Sequence, residues 1–298
     1  MKILLLNIDS KIPNLALKKI EKYHLDRGDD VIWNNELMVT ISDKVYVSCI
    51  FDWNKKKAEE WKNGADNRYI GGSGYSCDIV LPREIEEVKP RINLGFTTRG
   101  CIRKCPFCIV FQKEGNIKIV GDIYDIWDGK SREIELLDNN IMALFEHFKK
   151  IWGQIKKEGL RLRENGLDIR LLDKEKAKIL ASIKHYDYHF AFDNIQDKPQ
   201  IERGIKILTE VGIKKSCFYV LVGFNTTFAE DLERLNFLRD RKQNAYIQRY
   251  HYKSGEKKYI ALSRWVNQFH LFQGMTWEQF LDRKENKNYK ELFRKEPQ

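Results

Sequence analysis

The chain has 298 residues, 42% of them apolar, with six prolines and no low-complexity tract, which excludes a disordered chain and allows one large domain or two ordinary ones. Lysine and arginine number 53 against 43 aspartates and glutamates, a net charge of +10; this fits a nucleic-acid or other anionic partner, and equally a set of lysines that solvate helix faces. No fixed-period repeat marks a solenoid, no segment approaches the ~18 apolar residues of a membrane span, and the short apolar start, met by charges at Asp9 and Lys11, does not read as a secretory leader, so a cytoplasmic protein with no membrane partner is expected.

Residues 2–8 read as a buried strand. Asn14 to Arg27 reads as a helix, with Leu17, Ile20 and Leu25 among its apolar positions and Gly28 as its stop. His24, within that helix, reads as a surface residue. Asp30 to Trp33 and Lys44 to Phe51 are strands, Lys55 to Lys62 is helical, and Arg68 to Ile70 leads into Gly71-Gly72-Ser73-Gly74. Strands alternating with helices predict a small parallel-sheet domain that ends near Pro90.

From Arg91 the alternation starts again. Ile92 to Thr97, Ile134 to Asn139, Leu167 to Leu172, His189 to Phe192, Cys217 to Val222 and Ala245 to Tyr250 read as strands. Asn140 to Lys157 is a long helix, Asp173 caps a helix that runs to about His185, Pro199 to Val211 is another, and Thr226 or Thr227 opens the next. Six apolar strands joined by right-handed connections predict a partial or complete βα barrel, with its chemistry at the C-terminal strand ends. Tyr259 to Gln298 reads as an aromatic-rich helical cap. The fold class is therefore α/β, divided into a domain at 1–90, a barrel at 91–252 and a helical extension at 253–298.

Three of the six cysteines crowd into eight residues, Cys101-Ile102-Arg103-Lys104-Cys105-Pro106-Phe107-Cys108, just after a predicted strand. In a reducing compartment such a cluster favours a metal over disulfides. Four cysteines would saturate a [4Fe–4S] cluster; three leave one iron open to bind another molecule. A structural zinc site would need a fourth ligand such as histidine, and His147 is the next one along.

The pattern C-x-x-x-C-x-x-C with Phe107 before the last cysteine resembles the radical S-adenosylmethionine (SAM) superfamily. The preceding Thr98-Arg99-Gly100 resembles the branch that holds methylthiotransferases and cobalamin-domain enzymes. The resemblance implies a cluster on Cys101, Cys105 and Cys108 whose open iron chelates the methionine end of SAM. It implies reductive cleavage of SAM, hydrogen abstraction from a substrate, and an electron donor of flavodoxin or ferredoxin type. By the same resemblance, Asp138, Asn139 and Asn140 stand where the SAM amino group is met, although the usual glycine-glycine-glutamate is absent. Asp168 and Arg170 stand for a ligand contact or a structural ion pair. Asp193 stands for the ribose, and Gly223 and Asn225 for the adenine strand end. No residue is singled out as catalytic.

Residues 1–90 resemble a shrunken cobalamin-binding, Rossmann-like domain, but the loop Asp9-Ser10-Lys11-Ile12-Pro13 lacks the cobalt-ligating histidine motif. A packing or docking module is the favoured reading, with cobalamin the weaker one. Methylthiolation is disfavoured, because only Cys49 and Cys77 precede the motif where that branch carries three further cysteines. The non-enzyme alternative is a zinc- or cluster-stabilised nucleic-acid-binding protein without SAM chemistry.

Overall fold

The computed structural model describes residues 1–62, 65–253 and 255–294. Ser254 and residues 295–298 of the expected carboxyl-terminal extension lie outside the described residues. The chain forms two compact units, Met1–Leu137 and Asp138–Gln298, and both are mixed α/β with parallel strands.

The first unit begins with β1 (Lys2–Asn7), α1 (Leu15–Leu25), β2 (Asp30–Trp33), β3 (Lys44–Ser48), α2 (Lys55–Glu59), β4 (Arg68–Gly71) and α3 (Arg83–Glu86). The strands form a parallel sheet in the order β2-β1-β3-β4. The apolar run of β1 has a simple cause. Alternate side chains face opposite sides, so a strand covered on both faces must be apolar throughout. Leu4 and Leu6 pack with Val45, Val47, Cys49 and Ala58 on one face. Ile3 and Leu5 pack with Leu17, Ile20 and Ile85 on the other. Each such leucine contributes about 1.5–3 kcal/mol by burial.

His24 is not a surface residue. It is 1% exposed, with Nδ1 2.6 Å from the Asp29 carboxylate and Nε2 3.2 Å from the Tyr46 hydroxyl. A buried imidazole is tolerated here because both ring nitrogens are paired. Leu25, by contrast, is exposed. The glycine-rich turn after β4 is used for close packing. Gly72 has φ +101°, and a Cβ there would stand 2.2 Å from the Cys49 carbonyl oxygen.

The rest of this unit holds β5 (Leu94–Gly95), β6 (Thr98–Arg99), α4 (Val110–Glu114), β7 (Lys118–Ile119) and β8 (Glu133–Leu136). The single strand expected over Ile92 to Thr97 is instead split. β5 pairs in parallel with β8, and β6 turns away to pair antiparallel with β7. Arg91 and Asn93, with φ of 50° and 62°, break the extended run before β5.

The second unit contains α5 (Phe145–Glu158), β9 (Arg161–Glu164), α6 (Lys174–Ala181), β10 (Lys184–His185), β11 (His189–Ala191), α7 (Lys198–Glu210), β12 (Cys217–Val222), α8 (Phe228–Asp240), β13 (Asn244–Arg249), α9 (Lys257–Val266), α10 (Phe269–Gly274), α11 (Trp277–Leu281) and α12 (Lys287–Arg294). β9 pairs in parallel with β10, and β11-β12-β13 form a parallel sheet. Leu167 to Leu172 does not extend the strands as expected. Only Leu167 bridges, to Phe190, and Ile169–Leu171 is a 3-10 turn capped by the Asp168 side chain. That side chain accepts from the Arg170 N–H, which offers the backbone a local alternative to a ladder. The cap foreseen at Asp173 is present, and of the two threonines expected to open α8 it is Thr227 that caps it, as a reciprocal capping box with Glu230.

The carboxyl-terminal helices cover β13. The Asn267 side chain accepts from the Ile247 N–H at 2.7 Å and donates to the Ile247 carbonyl at 3.3 Å, so the strand edge is satisfied by a side chain. Trp265 and Phe272 are fully buried behind it. Among the described residues, no helix is long and apolar enough to cross a membrane.

Candidate functional site

The cysteine triplet lies in the connection between β6 and β7, so a hairpin closes the loop that carries it. Two features set the loop's shape. Gly100 has φ +83°, and a Cβ there would meet the Asn116 carbonyl oxygen at 2.4 Å, so only glycine passes this point without distortion. Glu114 then ties the loop from α4: it accepts from the Gly100 N–H at 2.8 Å and pairs with the Arg99 guanidinium at 2.8 Å. Arg99 also lies 4.1 Å over the Phe96 ring.

Inside the loop the backbone is partly self-satisfied. The Cys101 N–H donates to the Gly115 carbonyl at 3.2 Å, the Cys108 N–H to the Cys105 carbonyl at 3.0 Å, and the Arg103 N–H to the Cys101 sulfur at 3.3 Å. N–H donors of this kind stabilise a thiolate. Cys101 and Cys105 are half-buried, Cys108 is exposed, and all three are thiols rather than disulfides.

Of the other cysteines, Cys77 is half-buried, whereas Cys49 and Cys217 are buried. Burial pushes the Cys49 thiol up to about 11, with the Asp9 carboxylate beside it acting in the same direction, and pushes the Cys217 thiol up to about 12. Neither is suited to be a thiolate ligand at neutral pH. Among the described residues no three His, Cys, Asp or Glu side chains are gathered closely enough to hold a single metal ion. The triplet's chemistry, three accessible sulfurs on one eight-residue loop, matches the thiolate ligation of an iron–sulfur cluster.

In the second unit the structure joins several of the predicted polar residues. The Asn140 amide donates to Asp168 at 3.4 Å. Arg170 donates to Asp168 through Nε at 2.7 Å and Nη2 at 3.2 Å, and to Asp197 through Nη1 at 3.1 Å. The fork is bidentate, the stronger form of such a pair. Asp138, Asn140 and Asp168 are all buried, and Asn139 is half-buried. Asp193 accepts from the Leu221 N–H at 3.0 Å. Burial raises its carboxyl above the usual range, against that hydrogen bond and the Arg234 and Arg170 charges. Gly223 has φ +78°, and Asn225 follows at +48°, so the chain leaves β12 through two left-handed residues.

Sequence reasoning missed the group that fixes these strand ends. Arg234 is fully buried; it donates to the Phe192 and Leu221 carbonyls and to Asp231, and Asp231 in turn accepts from the Gly223 N–H at 3.0 Å. The only sequence signal was the spacing of Asp231 and Arg234, one turn apart on α8. Asp197, the second partner of Arg170, was likewise unforeseen.

No protein-family model matches the chain. The sodium channel protein type 3 subunit alpha of Homo sapiens is 32% identical over 113 residues, and those of Mus musculus and Rattus norvegicus are 30% identical. These matches cover 34% of this chain. The chain spans about 6% of the length of these curated relatives.

Proposed function

We propose that the chain is a radical SAM enzyme in which Cys101, Cys105 and Cys108 hold a [4Fe–4S] cluster. The observation that carries this reading is the loop itself: three accessible thiols at the superfamily's spacing, on a loop closed by a hairpin and braced by Glu114. When bound, such a cluster supplies one electron for the reductive cleavage of SAM. The protein's part is to hold and orient. Three thiolates leave one coordination position open. The Asp168–Arg170 pair and Asn140 offer fixed donors and acceptors for the charged methionine end of SAM. Asp193, which accepts from the Leu221 N–H, offers its carboxyl group to a ribose hydroxyl. The strand end at Gly223 and Asn225 offers backbone groups to an adenine.

In this reading residues 1–90 are a Rossmann-like module, supported by the strand order β2-β1-β3-β4. The same reading takes residues 91–252 as the βα barrel and residues 253–298 as a helical extension. The module serves packing or docking, in keeping with a glycine turn that lies close against the Cys49 and Phe51 backbone. Electrons come from a flavodoxin- or ferredoxin-type donor. Net positive charge is compatible with a nucleic-acid substrate, and a peptide or a small molecule fits the reading as well.

The test is anaerobic reconstitution with iron and sulfide, followed by dithionite and SAM. About four irons per chain, and 5′-deoxyadenosine that depends on all three cysteines, are expected. A protein that loads zinc, forms no cluster and cleaves no SAM overturns the proposal and favours a metal-stabilised nucleic-acid-binding protein.

A further inference from the structure

The first unit contains a half-open cleft of about 1210 Å³, lined by α1, α3, the β3–β4 strands and residues 79–126. None of Cys101, Cys105 and Cys108 lines it, so it is separate from the thiol loop. It exceeds the size of an ordinary small-ligand pocket, about 300–1,000 Å³. Its surface has two characters that together specify a ligand.

One wall is aromatic. Tyr46 and Tyr69 are paired across β3 and β4, and their rings stack at 5.1 Å and 23°. Tyr69 is still 47% exposed, so a further flat ring can stack against this wall. The cleft is also lined by cationic groups. Lys113 on α4 and Lys118 on β7 line it, and burial holds the Lys113 ammonium below the usual lysine range. Lysine in such a position is costly without an anion.

Five acids line the cleft, Glu84, Glu86, Glu87, Glu114 and Asp125, against eight lysines and arginines; Glu114 and Glu86 act on Lys113 only at longer range, and Glu87 is held by Arg83 at 2.6 Å. Glu114 is held by Arg99 at 2.8 Å, Glu86 by Lys19 at 2.8 Å, and Asp125 lies 3.7 Å from Lys89. Among the described residues, no carboxylate reaches ion-pair distance of Lys44, Arg91, Lys113 or Lys118, all of which line the cleft. An aromatic wall and surplus cationic groups lining one cleft match a flat base joined to phosphate.

We propose that this cleft binds nucleotide phosphate, with the base against the Tyr46–Tyr69 wall and the phosphate on Lys113 and Lys118. The ligand is either a free nucleotide or a nucleotide within a single strand. The inference does not rest on the proposed SAM chemistry. It is tested on the full-length Cys105→Ala protein, so loss of the cluster reading leaves it standing.

The experiment is titration calorimetry with two probes, adenosine diphosphate and a ten-nucleotide oligoadenylate, each in excess S-adenosylhomocysteine to block any SAM site. Binding of the diphosphate alone identifies a free-nucleotide site. Binding of the oligonucleotide alone, with strong salt dependence, identifies a strand site. In either case Tyr69→Ala, and separately Lys113→Ala with Lys118→Ala, are expected to weaken binding by about tenfold or more. Lys157→Ala, an exposed lysine of the second unit, is expected to leave it unchanged. Because Lys113 is half-buried, Lys118→Glu on the exposed hairpin strand serves as the variant least able to disturb folding, and it too is expected to weaken binding. Absence of binding by both probes, or binding that the Tyr69 and Lys118 variants leave intact, overturns the proposal.

Discussion

Five of the six cysteines fall into two kinds. Cys49 follows β3 and Cys217 opens β12, each buried where a parallel strand begins or ends. Their thiols are pushed up to about 11 and about 12 by loss of water. The triplet Cys101, Cys105 and Cys108 sits on a hairpin loop, half-buried to exposed, with a backbone N–H already aimed at the Cys101 sulfur. The same residue type is thus made inert by one setting and kept available as a ligand by the other. Burial is the variable that separates them, because desolvation penalises the thiolate that both metal binding and alkylation require.

The largest effect should come from removing one loop thiol. Cys105→Ala is expected to abolish 5′-deoxyadenosine formation and cluster loading, while the thermal midpoint of the iron-free protein stays within about 2 °C of the parent, as for a surface substitution. Retained SAM cleavage in that variant would break the contrast between the two kinds of cysteine.

Alkylation tests the contrast without any cofactor. In native protein at pH 8, Cys101, Cys105 and Cys108 should react with iodoacetamide at least about a hundredfold faster than Cys49 and Cys217, since rate follows the thiolate fraction. Peptide mass spectrometry over time reads this directly. Equal rates at Cys217 and Cys108 would show that burial does not protect it.

Gly72→Ala probes the packing that buries Cys49. A Cβ at this position meets the Cys49 carbonyl at 2.2 Å, in a backbone conformation with φ +101°. A loss of about 3 kcal/mol is expected, together with faster labelling of Cys49. Urea unfolding measures the first and mass spectrometry the second.

The smallest effect is a pH dependence at Cys217. Its folded-state pKa is raised, so the native protein keeps a proton that the unfolded chain releases above about 8.5. The stabilisation is whole below about 8.5 and declines as pH rises toward about 12. Between pH 8 and pH 10 the parent should therefore lose about 2 kcal/mol more stability than Cys217→Ala. An equal loss in both proteins would assign the decline to other groups, such as Tyr219, which burial also raises to about 12.

The sequence by itself determined the features that local rules encode. The uninterrupted apolar run of β1 required cover on both faces, and both core clusters use it. The caps at Asp173 and Thr227 and the bounds of β12 follow from residues within a few positions of one another. The thiol triplet was legible because its three cysteines lie within eight residues of one loop. What only the tertiary structure decided depends on partners far along the chain. His24 shares the buried helix face of Leu17 and Ile20, but an imidazole is tolerated there only because Asp29 and, on the returning β3, Tyr46 pair both its ring nitrogens. Asp168 and Arg170 are locked together and onto Asp197, 27 residues from Arg170, and a predicted strand becomes a turn. Arg234 reaches the Phe192 carbonyl, 42 residues back, to hold the strand ends in place. A buried charge is stable only beside the groups that neutralise it, and those groups come together only when the chain has folded.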